Sequence, residues 1–201
     1  MAKKTSTDSS STPSRRDEIL AAAARVIAER GIKQATVRDI GDAAGILSGS
    51  LYYHFESKDQ IVLELLLPSM ELTHASARAI FDKHSGLGAL SALIRDSVLA
   101  TAANPERSVI LRNEARIFAE LPLLAPVNEL RGKIVDLWFQ AIERGISDGE
   151  IRPNINAGIV ARAILDGTLG ASRWFDGTRE AAPDTVADSL VEFYVSGLAA
   201  H

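Results

Sequence analysis

The sequence predicts an all-α protein of about nine helices, in which a small N-terminal unit is joined to a larger helical bundle. Apolar residues recur at helical spacing along most of the chain, and Gly or Pro punctuates the intervals between these stretches. The alternation of apolar and polar residues that is typical of strands is missing. Apolar residues make up 46% of the 201 residues, which is enough for a buried core.

The first 14 residues are predicted to form a disordered arm, because Ser and Thr dominate them and no periodicity is visible. No apolar stretch follows their lysines, so a secretory signal is not expected. The chain has no Cys, which excludes disulfides and thiolate metal sites and agrees with a cytoplasmic location. It also has no uncharged apolar run of about 18 residues, so we expect no membrane span.

Residues 15–60 are predicted to form a three-helix unit. The first helix starts at Arg15 and ends at Gly31, a residue suited to a left-handed helix cap. Its inner face is formed by Ile19, Ala23, Val26 and Ile27. A second helix follows, with Thr36 as its N-cap and Asp39 completing a capping box, and it ends at Gly45.

The third helix is expected at residues 47–54, with Leu51 and Phe55 four positions apart on its buried side. Turns of three or four residues separate the three helices, and one turn contains Gly. This is the pattern of a helix-turn-helix unit.

A long fourth helix connects this unit to the bundle, which we expect to span residues 61–201. The helix is predicted to begin after Ser57, the N-cap of a capping box with Gln60, and to run to about Lys83 with a kink at Pro68. Five more helices are predicted, at residues 87–103, 106–120, 123–148, 157–175 and 183–199.

The segment GILSGSLYYHFESK, residues 45–58, contains many hydrogen-bonding side chains and few charges. With the Thr-capped helix before it, this segment resembles the TetR family of bacterial transcriptional regulators, and the resemblance covers about residues 15–65. It implies a helix-turn-helix that binds operator DNA, and a bundle that binds a small hydrophobic effector and forms a homodimer. The chain is also similar to actinobacterial members that repress steroid and lipid catabolism and respond to acyl-CoA thioesters. No cofactor or metal is implied.

A recognition helix lies in the major groove with its N-terminal residues toward the base edges, and here those residues are small enough for close approach. The resemblance places the two tyrosines near bases and phosphates, and the histidine and lysine on the phosphate backbone. The residues expected at the DNA are Thr36, Arg38, Leu47, Ser48, Gly49, Ser50, Tyr52, Tyr53, His54 and Lys58. A packed tyrosine, a structural histidine and a DNA contact by the N-terminal arm remain alternatives.

The last two predicted helices are candidates for the dimer interface, because small residues allow close helix approach and apolar residues spaced 4, 3 and 4 apart form a narrow seam. The candidates are Gly167, Gly170, Ala171, Val186, Leu190, Phe193 and Gly197. The same residues are equally consistent with packing inside one subunit.

Polar residues within the apolar bundle are candidates for an effector site, since ligand pockets combine apolar walls with a few polar groups. The candidates are Arg112, Arg116, Trp138 and Arg173. The pair Arg162 and Asp166, four positions apart, is interpreted as a surface ion pair.

Other functions receive little support from the sequence. Residues 1–60 have a net charge of only +1, from nine Lys or Arg and eight Asp or Glu, so charge alone does not indicate DNA binding. No H-E-x-x-H, phosphate-loop or G-x-S-x-G motif is present, so an enzyme is not expected and we propose no catalytic or metal-binding residues. A helical protein of the same shape that binds a protein partner remains the alternative, and an activator is not distinguished from a repressor.

Overall fold

The computed structural model describes residues 14–175 and 181–200, and residues 1–13 of the predicted arm lie outside them. Ser14, the last residue of that predicted arm, is instead the N-cap of the first helix. These two ranges form ten α-helices and two 3₁₀ turns, with no strand among them. The helices are α1 Arg15–Arg30, α2 Val37–Ala44, α3 Ser48–Leu51, α4 Lys58–Lys83, α5 Gly86–Ala103, α6 Pro105–Asn113, α7 Ile117–Glu120, α8 Ala125–Ser147, α9 Ala157–Gly170 and α10 Pro183–Leu198. The 3₁₀ turns are Pro122–Leu124 and Ala171–Arg173.

Helices α1 to α3 form the N-terminal unit, as the spacing of apolar residues predicts. Leu51 and Phe55 are fully buried, together with Ile19, Ile27 and Ile40. Burial of apolar surface holds these short helices together, because a four-residue helix such as α3 is not stable alone. Helix α3 is shorter than predicted and continues only as a turn, in which the N–H groups of Tyr53 and His54 bond three residues back.

The predicted helix at residues 106–120 consists of two helices, which raises the number from nine to ten in the described residues. The break lies at Glu114, whose backbone leaves the helical region at φ −104° and ψ 16°. Its carboxylate lies against Gly31, where a Cβ would be only 2.9 Å from a carboxylate oxygen. Gly31 has φ +83°, so the close contact and the backbone both favour glycine.

Helix α5 lies at the centre of the bundle, with α4, α8, α9 and α10 packed around it. In the described part of the chain it is also the one helix long and apolar enough to cross a membrane. Its neighbours on several sides show that it is the core helix of this bundle.

Helix α4 joins the two parts and runs to Lys83 as predicted. The predicted capping box at its start is wrong in one detail. The Ser57 hydroxyl accepts the N–H of Gln60, but the Gln60 side chain accepts the N–H of Glu56 instead of that of Ser57.

Candidate nucleic-acid interface and bundle cavity

The N-terminus of α2 is fixed by a complete capping box. The Thr36 hydroxyl accepts the N–H of Asp39 at 3.1 Å, and the Asp39 carboxylate accepts the N–H and the hydroxyl of Thr36 at 2.9 and 2.6 Å. These bonds from Thr36, and to a smaller extent Arg30 at 2.6 Å, lower the pKa of the Asp39 carboxyl. Thr36 is exposed at the start of α2, and its hydroxyl is already engaged in the hydrogen bonds of the capping box.

Three large side chains of the recognition segment, residues 45–58, are mostly exposed. Leu47 is 81% exposed and Tyr53 is 90% exposed, so neither contributes to a core. Tyr52 is 58% exposed, and a Cβ on Gly49 would meet nothing within 4 Å. Because water-exposed apolar groups that lie together mark interaction sites, this surface is suited to contact another molecule.

Two further candidates for DNA contact, Arg38 and His54, differ in their exposure to solvent. The Arg38 side chain is 84% exposed and lies 3.8 Å from Asp42, a weak surface pair that leaves the guanidinium available. His54 is half-buried, and its carbonyl accepts a hydrogen bond from Arg16.

Lys58, which is predicted to lie on the phosphate backbone, is half-buried and forms hydrogen bonds within its own chain. Its ammonium donates to the carbonyls of Ile32 and Ala35, at 2.5 and 2.8 Å. It thereby fastens the start of α4 to the loop before α2. This loop leads directly into Thr36, the N-cap of α2. Lys58 therefore helps to position α2 relative to α4.

Arg16 is a residue of the interface region that the sequence did not single out. Its guanidinium binds both carboxylate oxygens of Glu64 in α4, and it lies 4.2 Å from the centroid of the Phe55 ring. With its bond to the His54 carbonyl, it joins α1, the end of the recognition segment and α4. No local pattern marks it, because its partners lie 38 and 48 positions away.

The bundle contains a cavity of about 490 Å³ between α4, α5, α6, α8 and α9. Its walls mix aliphatic side chains with hydroxyl groups, and three arginines and two aspartates also face it. Its polar lining residues include Ser76, Asp96, Arg107, Arg131, Arg162 and Asp166.

None of the four residues predicted for an effector site lines this cavity. Trp138 is 2% exposed and belongs to the core of the bundle. Arg112 and Arg173 both lie beside Gly170, with guanidinium nitrogens 3.7 and 3.8 Å from the position of a Cβ there. Arg116 is exposed beyond the break after α6. The predicted arginines lie at the end of α6 and beyond it, whereas α6 lines the cavity with Arg107, Ser108 and Leu111.

Arg162 and Asp166 are both exposed, as predicted, and they also border the cavity. Arg162 donates to the Gly158 carbonyl of its own helix at 3.0 Å. Within the described residues the two side chains form no ion pair with each other.

The predicted dimer seam divides into inward and outward residues. Ala171 and Val186 are buried within the chain, and Gly170 is buried beside the arginines of α6 and the 3₁₀ turn. Gly167 lies against the Tyr194 hydroxyl, which would be 2.4 Å from a Cβ at that position. Leu190 is half-buried, whereas Phe193 is 72% exposed and Gly197 faces open space. Only Phe193 and Gly197 are therefore fully available to a second subunit.

Two family models match the chain. The model for bacterial regulatory proteins of the tetR family matches residues 19–65, and the model for the tetracyclin repressor-like C-terminal domain matches residues 85–198. The chain belongs to the TetR family. The helix-turn-helix interpretation made from the sequence is thereby confirmed.

Among relatives of this TetR protein, the transcriptional repressor KstR2 of Mycolicibacterium smegmatis is 35% identical over 95% of this chain and 94% of its own length. The structure of the ketosteroid transcriptional regulator KstR2 of Mycobacterium tuberculosis has a TM-score of 0.84 at 34% identity, covering 94% of this chain and 97% of that one. AibR in complex with isovaleryl coenzyme A and operator DNA shares the fold, with a TM-score of 0.73 at 24% identity over 90% of this chain and 97% of that one. The chain is a TetR-type transcriptional repressor homologous to KstR2. These comparisons favour DNA over a protein partner.

Proposed function

We propose that this repressor acts in the cytoplasm, where it binds a palindromic operator as a homodimer through the surface around Leu47, Tyr52 and Tyr53. The observation that carries the proposal is the exposure of these side chains on a unit that matches the tetR family model. A dimer is needed because two recognition helices must reach half-sites about 34–36 Å apart. Outward residues of α10, above all Phe193, supply the second interface.

We further propose that a small hydrophobic effector in the 490 Å³ cavity releases the operator. The KstR2 relatives point to a metabolite of lipid or steroid breakdown, and AibR, which shares the fold, holds an acyl-CoA. An effector acts only through a difference in its affinity for the DNA-binding and released conformations. The contacts that connect the cavity with the DNA-binding surface around Leu47, Tyr52 and Tyr53 must therefore differ between those two conformations.

Helix α4 provides one such connection. Its first two turns are fixed to the N-terminal unit through Lys58 and Glu64. Its next turns line the cavity, from Ser69 to Ser76. Pro68 lies between the two parts and has no N–H to offer the Glu64 carbonyl, so the helix is most easily bent there.

Helix α6 provides a second connection, because it packs on α1 with one side and faces the cavity with the other. Asn104 and Arg107 line both this cavity and a cleft of about 200 Å³ against α1. Further along, Glu120 of α7 forms an ion pair with Lys33 at 2.7 Å. A ligand that displaces α6 therefore also displaces its contact with the DNA-binding unit.

A thermal-shift screen of fatty, aromatic and steroid acids and their CoA thioesters, followed by titration of each stabilising compound into the protein–DNA complex, tests the effector proposal. We expect a stabilising compound to lower operator affinity by about 5- to 150-fold, the usual range of allosteric coupling. A compound that raises the melting temperature but leaves operator affinity unchanged is a bystander. If every stabilising compound behaved in this way, the proposed release mechanism would be wrong.

A further inference from the structure

Two arginines of the cavity lack the counter-ions that half-buried guanidinium groups normally have. Arg107, in the first turn of α6, donates to the Asn104 side chain. Its Nε is fully buried, and no acceptor in the described residues lies within hydrogen-bond distance of it. Arg131, on α8, donates only a long bond of 3.4 Å to Asn128 and lies 5.6 Å from the centroid of the Phe118 ring.

Neither Arg107 nor Arg131 takes part in any ion pair among residues 14–175 and 181–200. Burial lowers the pKa of the Arg131 guanidinium, and the charge of Asp166 opposes this shift only in part. The environment of Arg131 is therefore one in which its positive charge is poorly compensated. A charge in that position is unfavourable unless a partner of opposite sign is bound.

The carboxylates that face the cavity compensate these arginines only weakly, because neither carboxylate forms an ion pair with Arg107 or Arg131 within the described residues. Asp96 accepts the hydroxyl of Ser76 at 2.9 Å, and Asp166 lies at the exposed border. Three arginines and two aspartates face the cavity, so one positive charge is in excess. The remaining lining residues are aliphatic or carry hydroxyl or amide groups, which can accommodate the body of a ligand but do not neutralise a cation.

We propose that Arg107 and Arg131 hold an anionic group of the effector, either a carboxylate or a phosphate, and that the cavity selects organic anions over neutral molecules of the same shape. The inference rests on the proposed effector function, and it assigns the recognition to α6 and α8. An oxyanion suits both sites because a guanidinium presents several N–H donors in one plane. Since Arg107 also lines the cleft against α1, the anion contacts a residue of the α1–α6 junction.

Ligands with the same acyl group but different charge test whether the cavity prefers anions. Isothermal titration calorimetry is carried out with octanoic acid and cholanic acid, the methyl ester of each, and the CoA thioester of each. We expect the acid or the thioester of at least one series to bind at least about 10-fold more tightly than its methyl ester, because hydrogen bonds to charged groups are the strong ones. Preference for the free acid identifies a carboxylate, and preference for the thioester identifies a phosphate. Equal binding of ester and anion would overturn the proposal.

Substitutions of Arg107 and Arg131 test whether these two arginines bind the anion. Arg107→Met and Arg131→Met should each weaken binding of the preferred anion by about 10- to 100-fold and leave ester binding unchanged. Arg107→Lys and Arg131→Lys, which keep the charge, should retain part of the affinity and serve if a Met variant fails to fold. Arg78→Met is the matched control, since Arg78 is exposed on α4 outside the cavity and pairs with Asp82. Undiminished binding of the anion by both folded Met variants would refute the assignment.

Failure of this inference is distinguishable from failure of the proposed function. If no probe binds while the protein still binds a specific operator, the anion site is refuted and DNA binding stands. If the unaltered protein binds no specific DNA, the proposed function fails whatever the calorimetry shows.

Discussion

Replacing Lys58 by Met removes two hydrogen bonds from a charged donor and keeps most of the aliphatic stem. The ammonium bonds the Ile32 and Ala35 carbonyls at 2.5 and 2.8 Å. A bond to a charged group contributes about 1.5–3 kcal/mol, and the half-buried site lets water replace part of this. We therefore expect the free energy of unfolding to fall by about 2–3 kcal/mol. For a chain of this size that lowers Tm by about 4–12 °C at fixed protein concentration.

The same variant should weaken operator binding without changing its dependence on salt. A lysine that contacts phosphate contributes about 0.9 to the slope of log affinity against log salt, and a dimer would lose about twice that. Because the Lys58 ammonium is engaged inside the chain, we expect no change of slope. Thermal melting and fluorescence anisotropy at several salt concentrations measure both quantities. The matched control is Lys33→Met, since the exposed Lys33–Glu120 pair contributes less than about 1 kcal/mol. An unchanged Tm with a slope reduced by about two units would refute the positioning role of Lys58.

Three further predictions concern other parts of the molecule. Tyr53→Ala should leave Tm unchanged, because the side chain is 90% exposed, and reduce discrimination between operator variants by about 1–3 kcal/mol; a lower Tm would show that Tyr53 is packed. Phe193→Asp should give a monomer by light scattering and lose operator binding, and a persistent dimer would place the interface elsewhere. Asp39→Asn should lower Tm at pH 7. Because the pKa of the Asp39 carboxyl is depressed, the difference in Tm between the variant and the unaltered protein should shrink as the pH falls through and below the ordinary carboxyl value of 3.8. A difference in Tm that stayed constant with pH would show that the carboxylate charge contributes nothing.

The DNA-binding unit was predictable because its determinants are local. The capping box of Thr36 and Asp39 spans three residues, and Leu51 and Phe55 are one helical turn apart. Gly31 ends its helix as predicted and has a positive φ, but its ψ of 160° lies outside the left-handed helical region that was predicted for it. Each of these signals follows from the geometry of a single helix end or helix face.

The tertiary contacts were not predictable from the same patterns. The partners of Lys58 lie 23 and 26 positions away, and nothing near Lys58 distinguishes a lysine that bonds carbonyls from one that bonds phosphate. No Pro or Gly marks the break at Glu114. The structure shows there a contact with Gly31, which follows the end of α1 and is distant in sequence. Trp138 was assigned to a ligand site because it is unusual in an aliphatic helix, but burial in the core explains it equally well.

The lining of the cavity was also not predictable from the sequence. Its polar residues come from five helices, and in the sequence of each helix they resemble residues of an ordinary solvated face. Which faces enclose a space depends on how the helices pack. The family resemblance predicted that an effector site exists in the bundle, and the structure was needed to find residues such as Arg107 and Arg131 that border a cavity.

The central claim is that the exposed surface around the recognition segment binds a two-fold symmetric operator. Selection of bound fragments from genomic DNA, followed by footprinting of the enriched fragments, tests it most directly. We predict an inverted repeat whose half-sites lie one helical turn apart or a multiple of it, protected by the unaltered protein and not by a Tyr53→Ala, Ser50→Ala double variant. Enrichment of no sequence, or a footprint that the double variant leaves intact, would contradict the account.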